Sequence, residues 1–234
     1  MKKIFVVFCV TCLSLAGSHA DTLAQWTFET SPPADVTDST TISGISADTG
    51  TGTASGIHAS ALTDWSTPTG NGSANSLSAN TWAIGDYYQF SIVTTGYEDI
   101  FLGWAQTSSG TGPGEFKLAY QVNGGGFTDF LNYTVLPNQA GAPGLGTWSS
   151  SVENTGYNFS ADLSAVTALD NAAAVDFRLI MRTDSDSTPP GTVAAAGTSR
   201  VDNFTVTATA VPEPSAFALA GLAGLVLMAY RRRR

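Results

Sequence analysis

Between residues 21 and 210 the apolar positions recur with a period of two. Phe116, Leu118, Tyr120 and Val122 interleave with Glu115, Lys117, Ala119 and Gln121, and Val175, Phe177, Leu179 and Met181 interleave with Asp176, Arg178, Ile180 and Arg182. Side chains of a strand alternate between its two faces, so each run predicts a strand with one buried face. Residues 88–92 and 100–104 read the same way. Asn123-Gly124-Gly125-Gly126 supplies the positive φ of a tight turn and predicts a hairpin between 115–122 and 127–135. About ten such strands, separated by Gly, Ser, Thr, Asn and Pro, are the pattern of an all-β, antiparallel β-sandwich. Residues 31–80 hold few bulky side chains and predict short strands with long surface loops. Helical periodicity is confined to a single turn near residues 164–169, and no repeat of fixed period is visible.

The two ends break this pattern. Lys2 and Lys3 precede a largely apolar stretch at residues 4–15, and Ser18 and Ala20 are small residues at the −3 and −1 positions of a cleavage site before Asp21. That is the layout of a secretory signal, so residues 1–20 read as a signal helix and residues 21–210 as an exported body. Residues 211–234 begin Val211-Pro212-Glu213-Pro214, continue as an apolar Ala/Gly/Leu stretch at 216–230 and end in Arg231, Arg232, Arg233 and Arg234. The two prolines keep the backbone extended, as a protease or transpeptidase cleft requires. Ser215 can cap the helix that follows. About fifteen helical residues span roughly 22 Å, short of a bilayer core of about 30 Å. The arginines stay cytoplasmic and place the body outside. A single C-terminal transmembrane helix is therefore expected, serving as a temporary handle. A plain tail anchor would more often have a longer helix and no paired prolines, and terminal arginines do not suit a glycolipid-anchor signal.

Pro212-Glu213-Pro214, a short apolar helix and an arginine cluster, in that order, resemble the PEP-CTERM sorting signal of exported bacterial proteins. The resemblance covers about the last 24 residues. It implies recognition by an exosortase, a multi-pass membrane transpeptidase, with cleavage near the Pro-Glu-Pro and delivery of the body to the envelope, surface or extracellular matrix. The body's ends, residues 23–29 and 199–206 with Arg200-Val201-Asp202-Asn203-Phe204, loosely resemble those of jelly-roll carbohydrate-binding and laminin-G-like sandwiches. That resemblance implies polysaccharide as a partner. It also implies a structural calcium ion between an acidic residue of the first strand, Glu29, and one of the last, Asp202.

Composition narrows the chemistry. Four cations (Lys117, Arg178, Arg182 and Arg200) face eighteen acidic residues in the body, a net charge of −14, which is repelled by phosphate backbones and so disfavours nucleic acid. Cys9 and Cys12 both lie in the signal, so the mature body has no disulfide and rests on core packing. Bulky Leu13 after Cys12 argues against a lipoprotein. With His58 the only body histidine and no body cysteine, most nucleophilic triads and zinc sets are excluded. A glycosidase needs only two carboxylates, so a secreted carbohydrate-active enzyme stays open beside a non-enzymatic binder and a structural surface protein.

Alternation places Asp202 on the face of Phe204 and Val206, pointing inward, where a carboxylate needs a partner. Calcium, Arg200 and backbone N–H groups are the alternatives. Residues 183–191, with Asp184 and Asp186, lack the glycine and glutamate of an EF-hand loop and read as a solvated acidic turn. Among the aromatics, Trp104 sits in an alternating strand and reads as core. Trp65 and Trp148 lie among Gly, Ser, Thr and Pro and are expected to be exposed, as a stacking platform for sugar rings or as loop anchors. The Asn-X-Ser/Thr triplets at Asn71, Asn132, Asn158 and Asn203 are what chance yields in so Asn/Ser/Thr-rich a chain.

Overall fold

The computed structural model describes residues 20–138, 146–211, 221, 225 and 228–232. Among them thirteen strands form two sheets, and the pairings within both are antiparallel. The first sheet runs β11 (Asn158–Asp162), β8 (Tyr97–Ser108), β13 (Ser199–Ala210), β1 (Ala20–Trp26) and β3 (Thr49–Gly50). Short β5 (Trp65–Ser66) and β6 (Leu77–Ala79) extend it beside β13. The second runs β10 (Thr128–Thr134), β9 (Glu115–Val122), β12 (Val175–Met181), β7 (Tyr87–Ile92), β4 (Thr53–Ile57) and β2 (Thr41–Ser46).

The all-β sandwich and the 115–122/127–135 hairpin are as expected, with β9 and β10 flanking the glycine turn. The helical turn near 164–169 is a three-residue 3-10 turn at Thr167–Leu169. The short strands β2 to β6 occupy the region poor in bulky residues. The expected N-terminal signal helix lies outside the described residues. At the C-terminus Gly221, Leu225 and residues 228–231 are helical, and among the described residues no helix is long and apolar enough to cross a membrane.

Alternation sends one face of each sheet into a shared aromatic core. In β12, Val175, Phe177, Leu179 and Met181 are buried while Asp176, Arg178 and Ile180 are half-exposed. Phe204 of the first sheet stacks on Phe90 of the second with ring centres 3.6 Å apart and planes within 2°. Trp26 meets both rings edge-on, at 6.0 and 5.1 Å. With no disulfide available, this interlocked stack is what joins the two sheets, since each fully buried aromatic removes a large apolar area from water.

The first and last strands are neighbours: Ala20 pairs with Thr209 and Trp26 with Phe204. Just past β1 the chain turns sharply, with Phe28 at φ 58°. Asp48 holds that turn. One oxygen accepts the N–H groups of Thr27 and Phe28, each at 2.7 Å, and the other accepts those of Thr30 and Ser31, at 2.7 and 3.1 Å. Partial burial opposes ionisation of this carboxyl, but the hydrogen bonds of Thr30 and Thr27 outweigh it and bring its pKa down to about 2.

Candidate functional site

Trp65 and Trp148, expected at the surface, are buried, with 1% and 4% of their surface exposed. Trp65 reaches across to the second sheet. Gly56 of β4 leaves the hollow that its ring fills, since a Cβ at Gly56 would stand 2.3 Å from the indole. The Trp65 Nε1–H donates to the Ser39 carbonyl at 2.9 Å. Trp148 packs edge-on to Tyr157 in a small satellite cluster, and its Nε1–H donates to the Thr69 carbonyl at 2.8 Å. Both rings are spent on anchoring loops and offer no stacking face to a sugar. Trp104 is core, as expected.

Asp202 is fully buried, but not by the inter-sheet core. A bulge at Asn203, which sits at φ 53°, breaks the alternation between Asp202 and Phe204. The carboxylate is instead covered by the 70–75 loop: Oδ2 accepts the Asn71 N–H at 2.7 Å and the Ser73 hydroxyl at 2.6 Å, and Oδ1 accepts the Asn203 N–H at 2.7 Å. Of the partners weighed from sequence, the backbone supplies two of these three bonds. Burial raises the Asp202 pKa to about 6, the hydrogen bonds oppose it, and the nearby Glu29 charge adds to it.

Glu29 lies beyond the end of β1, exposed, and accepts the Asn75 N–H at 2.7 Å. The expected calcium pair is thus brought within electrostatic reach. The donor set is poor for the ion, however. Calcium takes six to eight oxygens, Oδ2 already receives two hydrogens, and among the described residues no group of three acidic, His or Cys side chains is placed to hold a metal. The arrangement fits a hydrogen-bonded buried acid better than a calcium cage.

Asp186, expected in a solvated turn, is buried instead. Its neighbours tie the loop to residues 109–114: the Ser187 hydroxyl donates to the Ser109 carbonyl at 2.7 Å, and the Gly114 N–H to the Ser185 carbonyl at 2.9 Å. His58 is likewise part of the core. It packs against Trp82 and Trp65 at 4.2 and 4.6 Å, its Nδ1 meets the Thr63 hydroxyl at 3.2 Å, and burial drops its pKa to about 3.

The outer face of the second sheet carries an arrangement that sequence reading missed. The Arg178 guanidinium is clamped between the Tyr87 ring, 3.8 Å away, and the Phe127 ring, 3.7 Å away. Its Nε–H donates to Gln89 Oε1 at 2.7 Å. A carboxylate extends the line, with Asp176 Oδ1 accepting the Ser91 hydroxyl at 2.5 Å and the Gln89 amide at 3.4 Å. The pairings Arg178–Gln89 and Asp176–Ser91 place these side chains in adjacent rows of β12 and β7. Burial pulls the Arg178 pKa down from its ordinary value, with Tyr87 and Asp176 opposing, yet a guanidinium stays charged. Aromatic surface beside fixed donors and acceptors, on a rigid sheet, is chemistry suited to sugars: ring faces cover C–H surfaces while planar polar groups bond hydroxyls.

Of the sorting-signal residues, Val211 is described, and its N–H bonds the Gly96 carbonyl at 2.9 Å. Arg231 and Arg232 are exposed. Pro212, Glu213, Pro214, Arg233 and Arg234 lie outside the described residues. Residues 210–234 match the family model of the PEP-CTERM protein-sorting motif. The chain carries a PEP-CTERM sorting signal. That motif implies exosortase-dependent export to the envelope. A search of the curated proteins found no match.

Solved structures similar to this PEP-CTERM chain include carbohydrate-binding and adhesin β-sandwich modules and glycoside hydrolases. The CBM22-1–GH10 xylanase 10B fragment of Clostridium thermocellum, complexed with xylohexaose, aligns with 80% of this chain and 28% of its own, at 13% identity and TM-score 0.44. The K3 cleaved adhesin domain of Lys-gingipain from Porphyromonas gingivalis aligns with 80% of this chain and 99% of its own, at 12% identity and TM-score 0.38. The TmCBM61 module complexed with β-1,4-galactotriose aligns with 77% and 90%, at 10% identity and TM-score 0.32.

Proposed function

We propose that this protein is a non-enzymatic envelope or extracellular-matrix component. An exosortase-type membrane transpeptidase sorts it, and its sandwich associates with extracellular polysaccharide through the outer face of the second sheet. Before processing, residues 216–230 hold the chain in the membrane, and residues 21–210 are the exported passenger. The observation that carries the sorting half is the motif match at residues 210–234. The observation that supports the polysaccharide half is the Arg178 clamp, whose rings and polar row are fixed before any ligand arrives, so binding loses little side-chain entropy. Enclosure of His58 in the core removes the one imidazole that a His-dependent triad would use.

Affinity electrophoresis of the exported protein in gels carrying soluble polysaccharides tests the second half. Arg178→Ala should abolish retardation by at least one polymer that retards the wild type, while leaving the melting temperature within a few degrees. Equal retardation of wild type and variant in every gel would refute the assignment to this face.

A further inference from the structure

The opposite face of the sandwich, away from the Arg178 clamp, holds a cleft of about 340 Å³. Its floor is the first sheet, at Gly103 of β8 and Thr205 of β13, and its walls are Asn71, Glu153 and Asn158. We propose that this cleft is a second binding site, for a single uncharged sugar unit of a glycan chain.

The walls are built in advance. The Asn71 side chain donates to the Asn154 carbonyl at 3.1 Å and to Asn158 Oδ1 at 3.2 Å, and its own Oδ1 accepts the Asn154 N–H at 2.8 Å. Asn203 Nδ2 ties the Asn71 carbonyl down at 3.1 Å, and Asn158 Nδ2 donates to Glu153 Oε1 at 2.6 Å. Three separate segments are thus cross-braced around the opening, so the cleft persists without a ligand. Three of the four Asn-X-Ser/Thr triplets, those at Asn71, Asn158 and Asn203, converge on this one cleft as amide struts.

The floor carries the second, independent indication. Gly103 lies in the middle of a twelve-residue strand, opposite Ser160 and Thr205. Its φ is not in the left-handed region, and a Cβ placed there would meet no atom within 4 Å. Neither backbone nor packing therefore demands glycine, although glycine in a strand interior costs conformational entropy. Glycine in a strand interior marks either a bulge or the close approach of another molecule to the backbone; the neighbouring bulge is carried by Asn203 of β13, and Gly103 itself keeps regular strand geometry.

The lining identifies the class of ligand. Carboxamides both donate and accept, which matches sugar hydroxyls. No Lys or Arg lines the cleft, Glu153 does, and the body is strongly acidic, so uronates, sulfates and phosphates are repelled. The volume is at the small end of the range of roughly 300–1,000 Å³ for ligand pockets, room for one ring.

The test is titration of the isotope-labelled exported protein with neutral hexasaccharides of glucose, xylose and galactose, with hexagalacturonate as the acidic control. At least one neutral oligosaccharide should shift the amide resonances of Gly103, Asn158 and Thr205 saturably. Gly103→Val should weaken that binding tenfold or more at unchanged melting temperature, whereas Arg178→Ala should leave it intact. If the valine variant does not fold, Gly103→Ala is read in its place. The proposal is overturned if no neutral oligosaccharide shifts those resonances at millimolar concentration, if hexagalacturonate alone does so, or if the Gly103 variant binds like wild type. Loss of binding only in Arg178→Ala would overturn it too, while supporting the site on the second sheet.

Discussion

Asp202 makes a quantitative prediction because its proton is worth more in the folded chain than in the unfolded one. Burial beneath the 70–75 loop, with Glu29 adding to it, raises its pKa from 3.8 to about 6. Two pKa units correspond to about 3 kcal/mol. The sign follows from proton counting. Between those pH values the native state holds the proton and the unfolded state does not, so stability falls as pH rises. The contribution is complete below pH 3.8 and lost as pH passes through about 6.

The perturbation is Asp202→Asn, which removes the titration. Urea unfolding of both proteins from pH 4 to pH 7.5 should show the stability difference, wild type minus variant, falling by about 3 kcal/mol across that range. Taking the difference cancels the titrating groups that are not coupled to Asp202. Glu29→Gln should move the midpoint down, and the Asp202 carboxyl carbon should titrate near pH 6 in a nuclear magnetic resonance experiment. A calcium ion on this carboxylate would favour the charged form instead. Millimolar calcium would then depress the midpoint and erase the slope, and chelator would restore them. A pH-independent difference between wild type and Asp202→Asn, or a carboxyl titrating near 3.8 without calcium, would refute the reasoning.

Two further consequences follow from the core. His58 has its folded pKa depressed by burial from 6.5 to about 3, so its contribution is present above pH 6.5 and lost as pH falls towards 3, by at most about 5 kcal/mol because Asp86 Oδ2, 3.6 Å from Nδ1, favours the charged ring. The stability difference, wild type minus His58→Leu, in denaturant unfolding monitored by tryptophan fluorescence should therefore fall as pH drops from 6 to 4, and a pH-independent difference would assign the acid sensitivity elsewhere. This slope opposes that of Asp202, so the wild-type profile between pH 4 and 6 is flatter than either variant's. Gly56→Ala drives a methyl into the Trp65 ring and should cost about 1–3 kcal/mol in a denaturant melt, whereas a loss below 0.5 kcal/mol would mean that Trp65 does not fill that hollow.

What was legible in the sequence was whatever depends on neighbours along the chain. Period-two alternation located β7, β9 and β12, the Asn123–Gly126 turn located the hairpin, and the small residues of 31–80 announced short strands. The tail was legible for the same reason, since its three parts are contiguous. The sites were not. Trp65 looks exposed among Thr, Asp and Ser, and its burial depends on a hollow at Gly56 in the other sheet. The Arg178 clamp gathers Tyr87, Phe127 and Arg178 from β7, the segment before β10 and β12, and no local pattern joins them. Asp202 was found by alternation, yet its surroundings follow from a single left-handed residue, Asn203, that alternation cannot foresee. The Asn71 bracing spans segments more than 80 residues apart.

The central claim is that an envelope sorting system processes this chain at its C-terminal signal and releases the sandwich as passenger. Mass spectrometry of the intact protein recovered from the cell surface or matrix measures this directly. The account predicts a chain that begins at Asp21 and ends near Pro214, with residues 216–234 missing. Surface protein that retains Arg234 would contradict it and leave a permanently tail-anchored sandwich in its place.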